Sequence, residues 1–136
     1  MRVAVIGATG VLGRQVMPRL IERGHEVRAI VNLSSAASRL GGAGETVPYA
    51  ASKGAIDSLT FGLAQEVAGE GIRVNAVSPG VIDTEIQPPG RVERVGPQLP
   101  MKRVGKPEEV AASILWLLSD EASYVSGAVL NVSGGR

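Results

Sequence analysis

The sequence has no cysteine and a single histidine, His25. Disulfides and thiolate metal sites are therefore excluded, and one imidazole cannot build a metal cluster. His25 reads as a surface residue just before a strand. Aromatic residues are only 3% of the chain, so the core must rest on Val, Ile, Leu and Ala. Neither sign of charge prevails: 14 basic residues stand against 13 acidic ones, a formal +1. Nothing in that balance calls for nucleic acid or an anionic membrane as a partner. No long hydrophobic run is present. The apolar stretch Val3 to Ile6 stops at Gly7, too short for a signal peptide or a membrane span, so the expected location is the cytoplasm.

What is present is apolar residue content of 44%, which fits a folded domain, with 18 glycines to serve tight turns and close backbone approaches. Val3 to Ile6 suits a strand buried on both faces of a parallel sheet. Val11 to Arg23 reads as a helix with a stripe of Val11, Leu12, Val16, Leu20 and Ile21, kinked by Pro18 and stopped by Gly24. Val27 to Leu33 is a second strand. After the glycine-rich loop Leu40 to Gly44, Pro48 opens a long helix over Tyr49 to Ala68, with Ile56, Leu59, Leu63 and Val67 as its apolar repeat. Ile72 to Val77 is a third strand, broken by Pro79-Gly80. Residues Gln87 to Gly105 read as a loop with a short helical turn. Pro107 with Glu108 and Glu109 starts another helix, whose buried stripe is Val110, Ile114, Leu117 and Leu118, with Trp116 off that line. Ala128 to Val132 is the last strand. The order βαβαβαβ predicts an α/β fold with a parallel, Rossmann-like sheet of about four strands.

Gly7-Ala8-Thr9-Gly10-Val11-Leu12-Gly13 follows a strand and opens a helix. Glycines there let the backbone approach a pyrophosphate, and the helix start offers free N–H groups and a positive dipole end. Gly7, Thr9, Gly10, Val11, Leu12 and Gly13 are thus candidates for cofactor binding; a tight turn without a ligand is the alternative. Through Ile30 the segment resembles the start of nucleotide-sugar epimerases and related extended short-chain dehydrogenases. Val31 and Asn32 stand where an acid or an arginine ordinarily selects NAD or NADP, so cofactor preference is not readable.

A second group of residues suggests proton chemistry. Tyr49 and Lys53 stand one turn apart on the long helix, so their side chains can meet. A neighbouring ammonium favours phenolate, and such a pair suits general acid/base work at an alcohol or carbonyl. Alone, the spacing is weak. Its setting strengthens it: Asn32-Leu33-Ser34-Ser35 before it, then Asn75-Ala76-Val77-Ser78-Pro79-Gly80-Val81-Ile82-Asp83-Thr84, Lys106-Pro107-Glu108-Glu109-Val110, Leu117-Leu118-Ser119-Asp120 and Ser123-Tyr124-Val125-Ser126-Gly127 after it. In this order, residues 32–136 resemble the C-terminal catalytic half of the short-chain dehydrogenase/reductase family.

The resemblance implies an NAD(P)-dependent oxidoreductase of small alcohols or carbonyls, with NAD or NADP as cofactor. Tyr49 would be the catalytic acid/base, Ser35 would orient the substrate, and Lys53 would assist Tyr49 and bind the nicotinamide ribose. Pro79 and Gly80 would border the nicotinamide, with Ile82 and Thr84 near its carboxamide. Ser34 is expected to be a structural serine at the strand end, and Tyr124 to pack or cap near the last strand. Ser133 stands where many relatives carry an aspartate, and no function is attached to it.

The two matching regions do not ordinarily abut. The strand Val27 to Leu33 serves as the family's second strand at its start and its fifth at its end, and the intervening elements are missing. With them go the adenine-pocket aspartate, the Asn-Ala-Gly strand end and the helix asparagine of the proton relay. The expectation is one shortened domain, residues 1–31 contributing the glycine loop and 32–136 the catalytic half. Native neighbours give the strand order 1-2-3-4, while 2-1-3-4 would restore a reversal and a crevice. A half-sheet leaves apolar surface short of cover, which predicts a homodimer or larger homo-oligomer. The competing functional reading is a non-catalytic, truncated or engineered chimeric module with weak or no nucleotide binding.

Overall fold

Alternation along the two central strands decides the architecture. Neighbouring residues of a strand point to opposite faces of a sheet. Ile30 packs into one cluster with Val74 and Ala64, joined by Leu63, Val67 and Ile72. Its neighbour Val31 packs into another with Val77 and Leu117, joined by Val110, Ile114, Leu118, Leu130 and others. Both faces are therefore apolar, and each needs a helix to cover it.

A computed structural model describes residues 2–6, 26–44 and 46–136, with side chains from Arg28 onward. Its strands are β1 (Arg2–Ile6), β2 (Glu26–Leu33), β3 (Arg73–Pro79) and β4 (Val129–Val132). Its helices are α1 (Ala37–Leu40), α2 (Val47–Val67), α3 (Arg91–Val95) and α4 (Pro107–Leu118). Short 3₁₀ turns follow α2, α3 and α4. The helix expected over residues 11–23, its glycine loop and His25 lie outside the described residues.

All strand pairs are parallel, in the order β1-β2-β3-β4. The sequential order is thus the observed one, and the alternative 2-1-3-4 is set aside. Ala29 to Leu33 run level with Arg73 to Val77. The β1–β2 register shifts once, between Val3 and Ala4. Helix α2 covers one face of the sheet and α4 the other, as the two clusters require. This is a Rossmann-like α/β fold.

The long helix buries a different stripe from the expected one. Its buried residues are Ala50, Thr60 and Ala64, whereas Leu59 is 39% exposed. Small side chains let the helix lie close to the sheet, and the larger Leu63 and Val67 pack beside that line. The contact is also polar: Asn32 Nδ2 donates to Thr60 Oγ at 3.0 Å, and Thr60 donates to Ile56 O at 2.8 Å. Residues 37–39, to which the sequence assigned no element, form α1 together with Leu40, the first residue of the expected loop, and Gly41 closes it at φ +74°.

The last turn region is tied down by two polar side chains of β3. Arg73 donates to Leu117 O at 2.7 Å and Ser119 O at 3.1 Å, capping the carbonyl end of α4. Asn75 donates to Val125 O at 2.8 Å and accepts from Ala128 N at 2.9 Å. These bonds hold residues 125–128 without help from Tyr124. Tyr124 is fully exposed, at 103%. The expectation that it packs or caps is corrected: the turn after Asp120–Ala122 aims it into solvent, and Arg73 and Asn75 do the capping.

At the start of α4, Glu109 accepts from Lys106 N at 2.8 Å and from both Arg103 guanidinium nitrogens, at 2.7 and 2.8 Å. The Arg103 bonds, then the Lys106 N–H, hold the Glu109 carboxyl down at about 2, against an ordinary 4.5. A carboxyl lowered by folding stabilises the fold above its unfolded value and loses that effect as pH falls through the folded one. The contribution of this exposed cluster is therefore complete above about 4.5 and gone below about 2. Carboxyl-carbon NMR should place the Glu109 midpoint near 2, and Arg103→Gln should move it upward; a midpoint indifferent to that substitution would refute the account.

The ends of β3 and β4 nearly touch. A Cβ at Gly80 would lie 2.9 Å from Ser133 Cα and 3.0 Å from its carbonyl oxygen. Gly80→Ala must push two main chains apart and should cost about 1–3 kcal/mol, read from denaturant midpoints. An unshifted midpoint would show that the strand ends yield freely.

Candidate functional site

The sheet ladder continues beyond its strands toward one end. Ser34 N donates to Val77 O at 2.8 Å, and Ala36 N donates to Pro79 O at 2.9 Å. Gly80 N then donates to Val132 O at 3.0 Å. These bonds lock the chain after β2 to β3, and the chain after β3 to β4. A cleft of about 480 Å³ opens above them. Its walls carry Ser35, Tyr49, Pro79 and Gly80. The volume suits a small ligand or one end of a larger one.

Ser35 sits at the turn into α1, half-buried. Its Oγ accepts from Ala37 N at 3.2 Å. That bond takes a lone pair and leaves the hydroxyl proton free to be donated into the cleft. Ser34 is buried; its hydroxyl donates to Lys53 O at 3.4 Å, so it joins β2 to α2 and does not line the cleft.

Tyr49 lies in the first turn of α2 and is 47% exposed. The turn before it depends on glycine. Gly42 has φ +62°, and a Cβ there would meet the Thr46 side chain and lie 2.9 Å from the Thr46 carbonyl carbon. Thr46 N donates to Gly42 O at 2.8 Å, and Ala50 N to Thr46 O at 2.9 Å. The close turn delivers the helix, and Tyr49 with it, over the strand ends.

Lys53 is one turn further on and does not line the cleft. Its Nζ donates to Leu33 O at 2.8 Å and stands 5.7 Å from the centre of the Tyr49 ring. An ammonium has three donors, so two remain after the Leu33 bond. Its charge lies over the ring and within reach of it.

Of the other residues singled out by sequence, Ile82 and Thr84 do not join this group. Ile82 bridges to Gly105 and lines a separate cleft of about 340 Å³ with Met101 and Arg103. Thr84 is exposed, and its carbonyl accepts from Gln87 N at 3.0 Å. Gly7, Thr9, Gly10, Val11, Leu12 and Gly13 lie outside the described residues. Conversely, the cleft includes Gln87 and Arg91, which the sequence hid in an aperiodic loop. The only signal available was the charged Arg91-Val92-Glu93-Arg94-Val95 stretch after Gly90.

Comparison with known proteins bears on this arrangement. A family model described as enoyl-(acyl carrier protein) reductase matches residues 1–136. The uncharacterised oxidoreductase YgfF of Escherichia coli (strain K12) is 56% identical over 128 residues, covering 90% of this chain and 52% of that protein. Two solved structures are alike in fold. A blue fluorescent protein from a metagenomic library, in complex with NADPH, matches with a TM-score of 0.78 at 30% identity, over 92% of this chain and 52% of its own. A 4-hydroxyisoleucine dehydrogenase complexed with NADH and succinate matches with a TM-score of 0.75 at 32% identity, again over 92% of this chain and 52% of its own. The chain spans about half the length of the curated relatives it matches.

Proposed function

The chain belongs to the short-chain dehydrogenase/reductase family, and from that premise we propose that it acts as an NAD(P)-dependent oxidoreductase of a small alcohol or carbonyl compound. One observation carries the reading: Ser35 and Tyr49 share a cleft with the backbone of Pro79 and Gly80. The described residues fit the nicotinamide end of a cofactor. Gly80 lies so close to Ser133 that this part of the wall is backbone, which lets a flat ring approach. When bound, NAD(P)H supplies the hydride.

The chain's own residues handle the oxygen. Ser35, with its lone pair held by Ala37 N–H, donates to the substrate oxygen and orients it. In reduction the Tyr49 hydroxyl gives its proton to that oxygen as hydride reaches the carbon; in oxidation it takes the proton back. The Lys53 ammonium stands over the ring, 5.7 Å from its centre. Its two remaining donors are available to the nicotinamide ribose. Pro79 and Gly80 border the ring. In this reading the glycine loop of residues 7–13 holds the pyrophosphate, and residues 1–31 form one domain with 32–136.

A second reading, a non-catalytic Rossmann-like module, draws support from Lys53, whose bond to Leu33 O turns it from the cleft. Fluorescence titration with NADH and NADPH separates the two. Binding is expected, with carbonyl reduction that Tyr49→Phe lowers by roughly 10²–10⁴-fold while cofactor affinity is kept. No binding at millimolar cofactor, or reduction unchanged by Tyr49→Phe, would sink the enzyme.

We also read the protein as a homo-oligomer. Phe61 on α2, Leu115 and Trp116 on α4, and Tyr124 beyond it are exposed apolar groups that a second copy would cover. Light scattering at micromolar concentration should give at least a dimeric mass; a monomeric mass overturns this.

A further inference from the structure

The cleft that holds Ser35 and Tyr49 is also lined by Arg91 and Arg136. Among the described residues, no Asp or Glu side chain lines it. Arg91 projects from α3, and its Nε is buried without a hydrogen-bond partner. A buried guanidinium N–H left unpaired is costly, so Arg91 gains by turning its guanidinium toward an acceptor placed in the cleft it lines. The segment leading into Arg91 is held by local bonds. Gln87 Nε2 donates to Ile82 O at 3.0 Å, and Arg91 N donates to Pro88 O at 3.1 Å. The main-chain oxygen of Arg136 is already bonded, by Arg39 at 3.1 Å and by Ser133 Oγ at 2.9 Å. It does not satisfy Arg91.

From this we infer that the substrate of the proposed reaction carries an anionic oxygen group, which Arg91 binds while Ser35 and Tyr49 hold its carbonyl or hydroxyl oxygen. The inference rests on the oxidoreductase reading and adds the substrate class to it. A carboxylate or a phosphate supplies such an acceptor, and a guanidinium pairs with either in a planar fork. Arg91 is the cationic side chain on which this recognition rests, since the charge of Arg136 is offset by its own carboxyl group. A neutral substrate would leave Arg91 Nε as it now stands, desolvated and unpaired. Arg91 is thus the specificity-determining residue, and the oxidoreductase chemistry needs nothing from it.

The test uses the intact protein with 4-oxopentanoate, its methyl ester and inorganic phosphate. Binding is read by NMR line broadening of the probe, and turnover by NADH and NADPH oxidation. Wild type should bind the acid in preference to the ester by roughly tenfold to a hundredfold. Arg91→Gln should remove that preference by weakening the acid alone, and Arg91→Lys should restore part of it. In turnover the change should fall on KM for the acid, not on the ester or on cofactor affinity. Phosphate that displaces the acid at lower concentration than acetate does would assign the group as a phosphate; the reverse would assign it as a carboxylate. Acid and ester bound equally, or an Arg91→Gln effect on cofactor affinity instead, overturns the inference. Acid binding lost in Arg91→Gln but without turnover upholds the anion site and counts against the oxidoreductase reading.

Discussion

The parallel pairing of β2 with β3 governs the rest of the structure. Ala29 to Leu33 run level with Arg73 to Val77, and the ladder extends through Ser34 N to Val77 O and Ala36 N to Pro79 O. Two consequences follow from that alignment. Ser35 and the Pro79-Gly80 turn emerge at the same height, so they can line one cleft. Ile30 and Val31 also fall opposite Val74 and Asn75, which places apolar side chains on both faces and calls for α2 on one and α4 on the other. A slip of one residue would exchange the two faces and put Asn32 away from Thr60.

The helix that carries Tyr49 and Lys53 is held against this frame by polar contacts as much as by apolar ones. Asn32 to Thr60, Ser34 to Lys53 O and Lys53 Nζ to Leu33 O all join β2 to α2. Lys53 thereby serves two ends at once. Its ammonium anchors the helix to the strand that ends beside Ser35, and it places a positive charge near the Tyr49 ring. Removing that side chain would disturb position and charge together.

Much of the fold was legible because it depends on short-range patterns. Runs such as Val27 to Leu33, the proline-and-acid start at Pro107 and the break at Pro79-Gly80 each mark a boundary through local chemistry, and the strands and helices fall within a residue or two of those marks. Strand order followed from keeping native neighbours. What escaped depends on contacts across the chain. The buried stripe of α2 is Ala50, Thr60 and Ala64, and small residues give no periodic signal. Tyr124 is in the open because Arg73 and Asn75, from a distant strand, complete the turn that it was expected to cap. At the site, Ser35 and Tyr49 line one cleft, whereas Ile82 lines another because its partner is Gly105. Arg91 was invisible for the opposite reason: an aperiodic segment brings it in, and nothing local says where such a segment points.

The near-contact of Gly80 with Ser133 divides the cleft into two kinds of wall. Where the strands end, the surface is peptide backbone, fixed by the sheet and indifferent to which side chains stand nearby. Across from it, residues 87–91 offer side chains on a segment that the sheet does not constrain. Shape complementarity to a flat ring therefore resides in the invariant geometry of the strands, while discrimination among ligands resides in a handful of exchangeable positions. A protein built this way can be given new preferences by altering the second wall alone, without reopening the question of how it folds.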